Sequence, residues 1–179
     1  MNDLISDQQV NKVKEELDAD IVSLTCHDIF EDDPSLQFAG AGMTRCSFIT
    51  SPQHDEIVKI ARSKAGKEEN KTAYEISNID NRLIDKTFAK VTRLRGDGEA
   101  IIQKEVEPIQ DTDMNTGSLG RTFREKEEKL HDNLRQLQDE EDIVCRDLED
   151  QNLGLNSNNN LVLMDMGDCK IDEDGEMLI

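Results

Sequence analysis

Apolar residues recur at helical spacing along much of this chain, with polar or breaker-rich runs between them. Ser6 and Gln9 make a capping-box pattern, and Val10, Val13, Leu17, Ile21 and Leu24 then share one face, which predicts a helix from Asp7 to Thr25. Acids and breakers from Glu31 to Gly42 read as a loop, followed by a short extended piece at Cys46 to Ile49. Ser51-Pro52 sets a cap residue before a proline at the first helical position, with Asp55 and Glu56 in the first turn and Ile57, Ile60 and Ala61 as an apolar stripe. Thr72 with Glu75 opens another helical pattern, carried by Ile76, Ile79, Leu83, Val91 and Leu94 as far as Gly96. Glu99 to Ile109 suits a helix or a strand, and the polar run that follows reads as a linker.

The longest pattern begins at the Thr122 and Glu125 capping box. Phe123, Leu130, Leu134, Leu137, Val144, Leu148 and Leu155 fall on alternating three- and four-residue steps, with Glu127, Glu141 and Gln151 at the remaining seam positions. Sustained spacing of this kind predicts a coiled coil. Asn156 to Asn160 then breaks the helix, and Leu161 to Met166 is an apolar island in an acidic tail. The expected fold is mainly α, with elongated helices, a C-terminal coiled coil and a disordered acidic tail. Its segments are an N-terminal helix and loop (1–50), a central helical region with a basic face (51–110), a linker (111–121), the coil (122–155) and the tail (156–179).

Composition sharpens this picture. Aromatics are 3% of the chain and Trp is absent, which argues against one thick core, since large rings supply much of the buried area in compact domains. The net charge of -19, from 40 acidic and 21 basic residues, disfavours non-specific binding to nucleic acid or anionic lipid. The segment Lys59 to Arg95 runs against that trend, with ten basic residues to five acids, and Arg82, Lys86, Lys90 and Arg93 make a basic edge at helical spacing. That edge is expected to pair with the acidic coil or tail of the same chain; the sharper alternative makes it a docking face for an acidic partner, an anionic membrane or nucleic acid.

The start of the chain has neither a secretory nor a transit pattern, and no apolar run is long enough to span a membrane, so a cytoplasmic or nuclear setting is expected. There the scattered Cys26, Cys46, Cys145 and Cys169 are expected to be free thiols.

Candidate chemistry is sparse. Cys26 beside His27 lacks a nucleophile setting, because adjacent residues on a helix point apart. Gly117 to Thr122 has an arginine where a phosphate loop needs lysine, and Gly40-Ala41-Gly42 lacks a third glycine and a strand-to-helix setting. Asp172, Asp174 and Gly175 match too few positions of a calcium loop, and no Cys or His pair has zinc spacing. No catalytic residue, metal or cofactor is expected. Ser51, before Pro52, is the candidate phosphorylation point.

The sequence therefore predicts a non-enzymatic adaptor or structural subunit of a cytoskeletal, kinetochore, ciliary or vesicle-tethering assembly. Leu130, Leu134, Leu137, Val144 and Leu148 would bury against a basic partner helix, with a homo-oligomer as the other arrangement the seam allows. The alternative is an acidic, phosphorylation-controlled cofactor of transcription or of a viral polymerase.

Overall fold

Ile57, Val58 and Ile60 are β-branched, and β-branched side chains pack well on a pleated surface. In the computed structural model, which describes residues 4–18, 36–50, 55–109 and 117–172, Glu56–Ala61 is the central strand of a five-stranded antiparallel sheet. The protein is thus mixed α/β, and the expectation of a mainly helical chain is wrong. A strand covered on both faces loses the polar alternation that marks a strand, so Ile57, Ile60 and Ala61 mimic a helical stripe.

The chain divides into two compact units, residues 1–74 with 91–105 and residues 75–90 with 106–179. The first holds the sheet, ordered β1-β2-β3-β5-β4, from β1 (Leu36–Ala41), β2 (Arg45–Thr50), β3 (Glu56–Ala61), β4 (Val91–Arg95) and β5 (Ala100–Lys104). Cys46 and Phe48, Val58 and Ile60, Ala100 and Ile102 lie on one pleat face and form a buried cluster with Ile5, Val10, Val13 and Leu17. The last three belong to helix α1 (Asp7–Asp18). Its start is fixed reciprocally: the Ser6 N–H donates to Gln9 Oε1 at 2.7 Å, and the Gln9 N–H donates to Ser6 Oγ at 3.3 Å. Ile21 and Leu24 of the predicted helix lie outside the described residues.

Helix α2 (Lys64–Ser77) packs on the β4–β5 turn. Asn70 Nδ2 donates to the Gly98 carbonyl at 2.9 Å, and Lys67 Nζ stands 2.7 Å from Glu99 Oε1, a fully buried carboxylate. The helix predicted from Thr72 to Gly96 is replaced by the end of α2, a short helix α3 (Ile84–Thr87) and strand β4. Asn81 supplies a local reason: its Oδ1 accepts the Leu83 N–H at 3.0 Å, an alternative to helical pairing. Arg82, Lys86, Lys90 and Arg93 therefore do not share a helix. Arg82, Lys86 and Lys90 belong to the second unit and Arg93 to β4 of the first.

The second unit is built on helix α4 (Gly117–Glu141), β6 (Glu107–Pro108), β7 (Ile143–Cys145), β8 (Leu153–Leu155), β9 (Leu161–Leu163) and β10 (Cys169–Ile171). These strands form a three-stranded sheet ordered β6-β8-β9 and a β7–β10 pair. The coiled coil is overturned here. Leu130 and Leu137 are 2% and 0% exposed because α4 turns them into the core of its own unit, and Leu134 is half-buried. The helix stops at Asp142, whose φ of 55° is left-handed, so Val144 falls in β7, Leu148 in a loop and Leu155 in β8. The heptad spacing of these last three is a coincidence of register.

The expected disordered tail is also corrected, because β9 and β10 lie within it. Asn156 closes the intervening turn, its Oδ1 accepting the N–H groups of Asn158 and Asn160, each at 3.0 Å. Nor are the cysteines free: Cys145 bonds Cys169, and Cys46 is disulfide-bonded as well. Ser51, Cys26, His27, His54 and residues 173–179 lie outside the described residues. Among the described residues no helix is long and apolar enough to cross a membrane.

Candidate functional site

Two short ladders in the second unit bring three polar residues to neighbouring strand ends. In the first, β8 pairs with β9 so that Leu153 faces Leu163. Asn152 ends the 3-10 turn just before β8, and its carbonyl accepts the Met164 N–H at 2.6 Å, which sets Asp165 beside it at the same end of the hairpin. In the second, β7 pairs with β10 so that Cys145 faces Cys169, and Asp147 leaves β7 at the end where Gly167 and Asp168 enter β10. The Arg146 N–H donates to the Asp168 carbonyl at 3.4 Å across that gap.

The side chains are then fixed by their own chemistry. Asn152 Nδ2 donates to Asp147 Oδ2 at 2.8 Å, while Asp147 Oδ1 accepts the Glu149 N–H at 3.3 Å. A carboxylate only accepts, so it must face the amide nitrogen, which turns Asn152 Oδ1 away from Asp147. Asp165 Oδ1 accepts the Gly167 N–H at 2.9 Å. Asp147, Asn152 and Asp165 thus make a constellation of oxygen donors on neighbouring strand ends, in which Asp147 and Asn152 are joined side chain to side chain and Asp147 is half-buried. Among the described residues no three His, Cys, Asp or Glu side chains gather as a metal site. One carboxylate and one carboxamide do suit magnesium, which keeps several waters and draws its other ligands from phosphate oxygens.

None of these residues was singled out as functional from the sequence. Leu148 and Val144 fitted a heptad, and that pattern hid Arg146-Asp147-Leu148 with Asn152 four positions further on, and Asp165-Met166-Gly167 after it. The Leu161 to Met166 island of the expected acidic tail is β9 and its exit. Among the predicted partner residues, Leu130 lines a cavity of about 160 Å³ with Lys86, Lys126, Lys129, Asn133, Asn159, Asn160 and Leu161, away from the Asp147 constellation. Lys90 pairs with Asp85 at 3.1 Å, and Arg82 is exposed.

The first unit has two features of its own. Lys59 is only 8% exposed in central strand β3, where it pairs in register with Ser47 and Ile101. A buried lysine is rare and costly unless its ammonium is paired. The turn between β1 and β2 contains Gly42, whose N–H donates to the Arg45 carbonyl at 2.8 Å and whose carbonyl accepts Arg62 Nη1 at 2.8 Å. Gly40-Ala41-Gly42 therefore sits in a strand-turn-strand setting. Glu69 of α2 is held by Arg45 Nε at 3.1 Å and by the Thr44 hydroxyl at 2.7 Å.

No protein-family model matches the chain, and no curated protein is significantly similar to it. Solved structures do share its fold. One is described as a medium-resolution structure of the bifunctional kinase-methyltransferase WbdD, 16% identical over 74% of this chain with a TM-score of 0.52. A high-resolution crystal structure of WbdD is 14% identical over 78% of this chain with a TM-score of 0.55. A co-crystal of WbdD with the kinase inhibitor LY294002 gives 15% identity, 75% coverage and a TM-score of 0.52. At this identity the likeness concerns the fold alone, and the chain spans about a third of the length of these structures.

Proposed function

We propose that this chain belongs to a kinase-type phosphoryl-transfer catalyst, moving a phosphoryl group from a nucleoside triphosphate to a hydroxyl acceptor. The observation that carries the proposal is the Asn152 Nδ2 bond to Asp147 Oδ2, with the Asn152 carbonyl holding the backbone that presents Asp165. Protein kinases use R-D-L-x-x-x-N and D-F-G segments in that order, the first Asp as base and the Asn and second Asp on magnesium. Here Arg146, Asp147, Leu148 and Asn152 fill the first pattern, and Asp165 and Gly167 fill the second. Cys145 replaces the histidine and Met166 the phenylalanine, neither of which is one of the oxygen donors. Lys59 follows Ile57-Val58 on β3, as the lysine of V-A-I-K does on its strand, and Gly40-Ala41-Gly42 occupies a hairpin. The description of WbdD, which shares the fold, as a bifunctional kinase-methyltransferase is in keeping with this reading.

In this reading Asp165 and Asn152 Oδ1 would hold a divalent cation, which would neutralise charge on the phosphates. The acceptor hydroxyl oxygen forms a bond to the γ-phosphorus while the bond to the bridging oxygen breaks, and the nucleoside diphosphate leaves with that electron pair. The hydroxyl proton passes to Asp147, which Asn152 orients through its amide. Asp147→Asn should lower turnover of magnesium-ATP by about 10²–10⁴-fold with little effect on binding. Asp165→Asn should instead weaken magnesium-dependent nucleotide binding in calorimetry. Wild-type protein that binds magnesium-ATP no better than Asp165→Asn would rule the reading out; binding without turnover would make the chain a nucleotide sensor.

A further inference from the structure

The two strands that flank the constellation are joined covalently. Cys145 and Cys169 face each other in the β7–β10 ladder and form a disulfide, with Cα atoms 4.0 Å apart. Cys145 precedes Asp147 by two residues and Cys169 follows Asp165 by four, so Asp147, Asn152 and Asp165 all lie inside the loop that the bond closes. Without the bond the pairing is slight. The ladder has three residue pairs, extended by the Asp172 N–H to the Asp142 carbonyl at 2.9 Å and the Arg146 N–H to the Asp168 carbonyl at 3.4 Å. A two-stranded ribbon this short depends on what packs against it, here helix α4 and the burial of Ile143 on β7. The two cysteines also differ in access: Cys145 is half-buried, whereas Cys169 is 3% exposed.

We propose that Cys145–Cys169 is a reversible thiol–disulfide modification site, served by a dithiol reductant, that sets how firmly Asp147 and Asp165 are held. A thiolate of the dithiol attacks Cys145 Sγ, the S–S bond breaks, and Cys169 leaves as a thiolate that takes up a proton. The second thiol of the reagent then attacks its own sulfur in the mixed disulfide and releases Cys145 as a thiol. Two electrons and two protons pass to the cystine, and the dithiol becomes a disulfide. The loop between the cysteines gains the conformational freedom that the bond had removed. Loss of cation affinity would follow, and only that consequence rests on the phosphoryl-transfer reading.

Hydrogen exchange on the full chain, before and after dithiothreitol, tests the switch. Exchange across 142–153 and 164–171 should rise roughly tenfold on reduction and return on reoxidation, while 56–61 and 100–104 stay protected. The Cys145→Ser/Cys169→Ser variant keeps the Cys46 disulfide and should exchange at the raised rate with or without dithiothreitol. Should that variant fail to fold, the comparison within the wild-type chain still decides. Unchanged exchange with both thiols shown free by alkylation would overturn the proposal, and so would a bond that dithiothreitol cannot open in the folded protein. Manganese binding separates the two ideas: opening on reduction without manganese binding in either state supports the switch and sinks the phosphoryl-transfer reading.

Discussion

Leu137 is fully buried in its own unit, so its removal should leave a cavity in this chain and no dangling seam. Leu137→Ala is expected to cost about 2–5 kcal/mol in urea unfolding without changing the mass seen by light scattering. A fall in oligomer mass would restore the coiled-coil reading. The ion pairs of the first unit predict a pH dependence. A hydrogen bond from Lys71, assisted by the charges of Lys71 and Lys67, outweighs burial and holds the Asp97 carboxyl below its ordinary 3.8. A depressed carboxyl stabilises the fold above its unfolded pKa and loses that contribution as pH falls through the folded value. The difference in urea midpoint between wild type and Asp97→Asn should therefore be present near neutrality and close below 3.8. It should also be small, because Asp97 is largely exposed. Burial lowers the Lys67 ammonium, but Glu99 and Asp97 together outweigh it and raise it above 10.5, so its contribution lasts until the pH passes that value.

At the scale of elements, the legibility of the sequence followed the locality of the signal. The Ser6 and Gln9 cap was readable because both partners lie within one turn of helix. The extended piece at Cys46 to Ile49 was readable because breakers isolate it, and it lies within β2. The central strand was not, since Val58 and Ile60 are buried, and Ile57 half-buried, by partners distant in sequence. Helix α4 was visible, but its end depended on the left-handed Asp142, which leaves no mark in a heptad count. Asp147, Asn152 and Asp165 stand apart in the sequence, and only the β8–β9 and β7–β10 registers bring their segments to neighbouring strand ends. The β4–β5 turn makes a further prediction. Gly98 has a φ of 91°, and a Cβ there would stand 2.5 Å from the Lys67 carbonyl. Gly98→Ala should destabilise by more than about 1 kcal/mol, whereas Gly40→Ala meets nothing within 4 Å and should change the urea midpoint little.

Across the whole molecule, the net charge of -19 remains the dominant electrostatic fact. Salt should relieve that self-repulsion more than it weakens the Lys67–Glu99 pair, whose carboxylate is fully buried and so poorly screened. Raising ionic strength with sodium chloride should accordingly raise Tm, each kcal/mol of relief being worth about 2–4 °C for a chain of this size. A lower Tm in salt would show that exposed ion pairs outweigh the repulsion. The order of the elements carries a consequence for the chain as it leaves the ribosome. Strands β1 to β3 can pair early, but β3 stays open on one side until β5 emerges, some forty residues later. The Asp147 loop waits longer still, because its strand β7 has no partner until β10 is made. In the growing chain the β1–β3 pairing is therefore available well before the β7–β10 pairing that brackets the Asp147 loop.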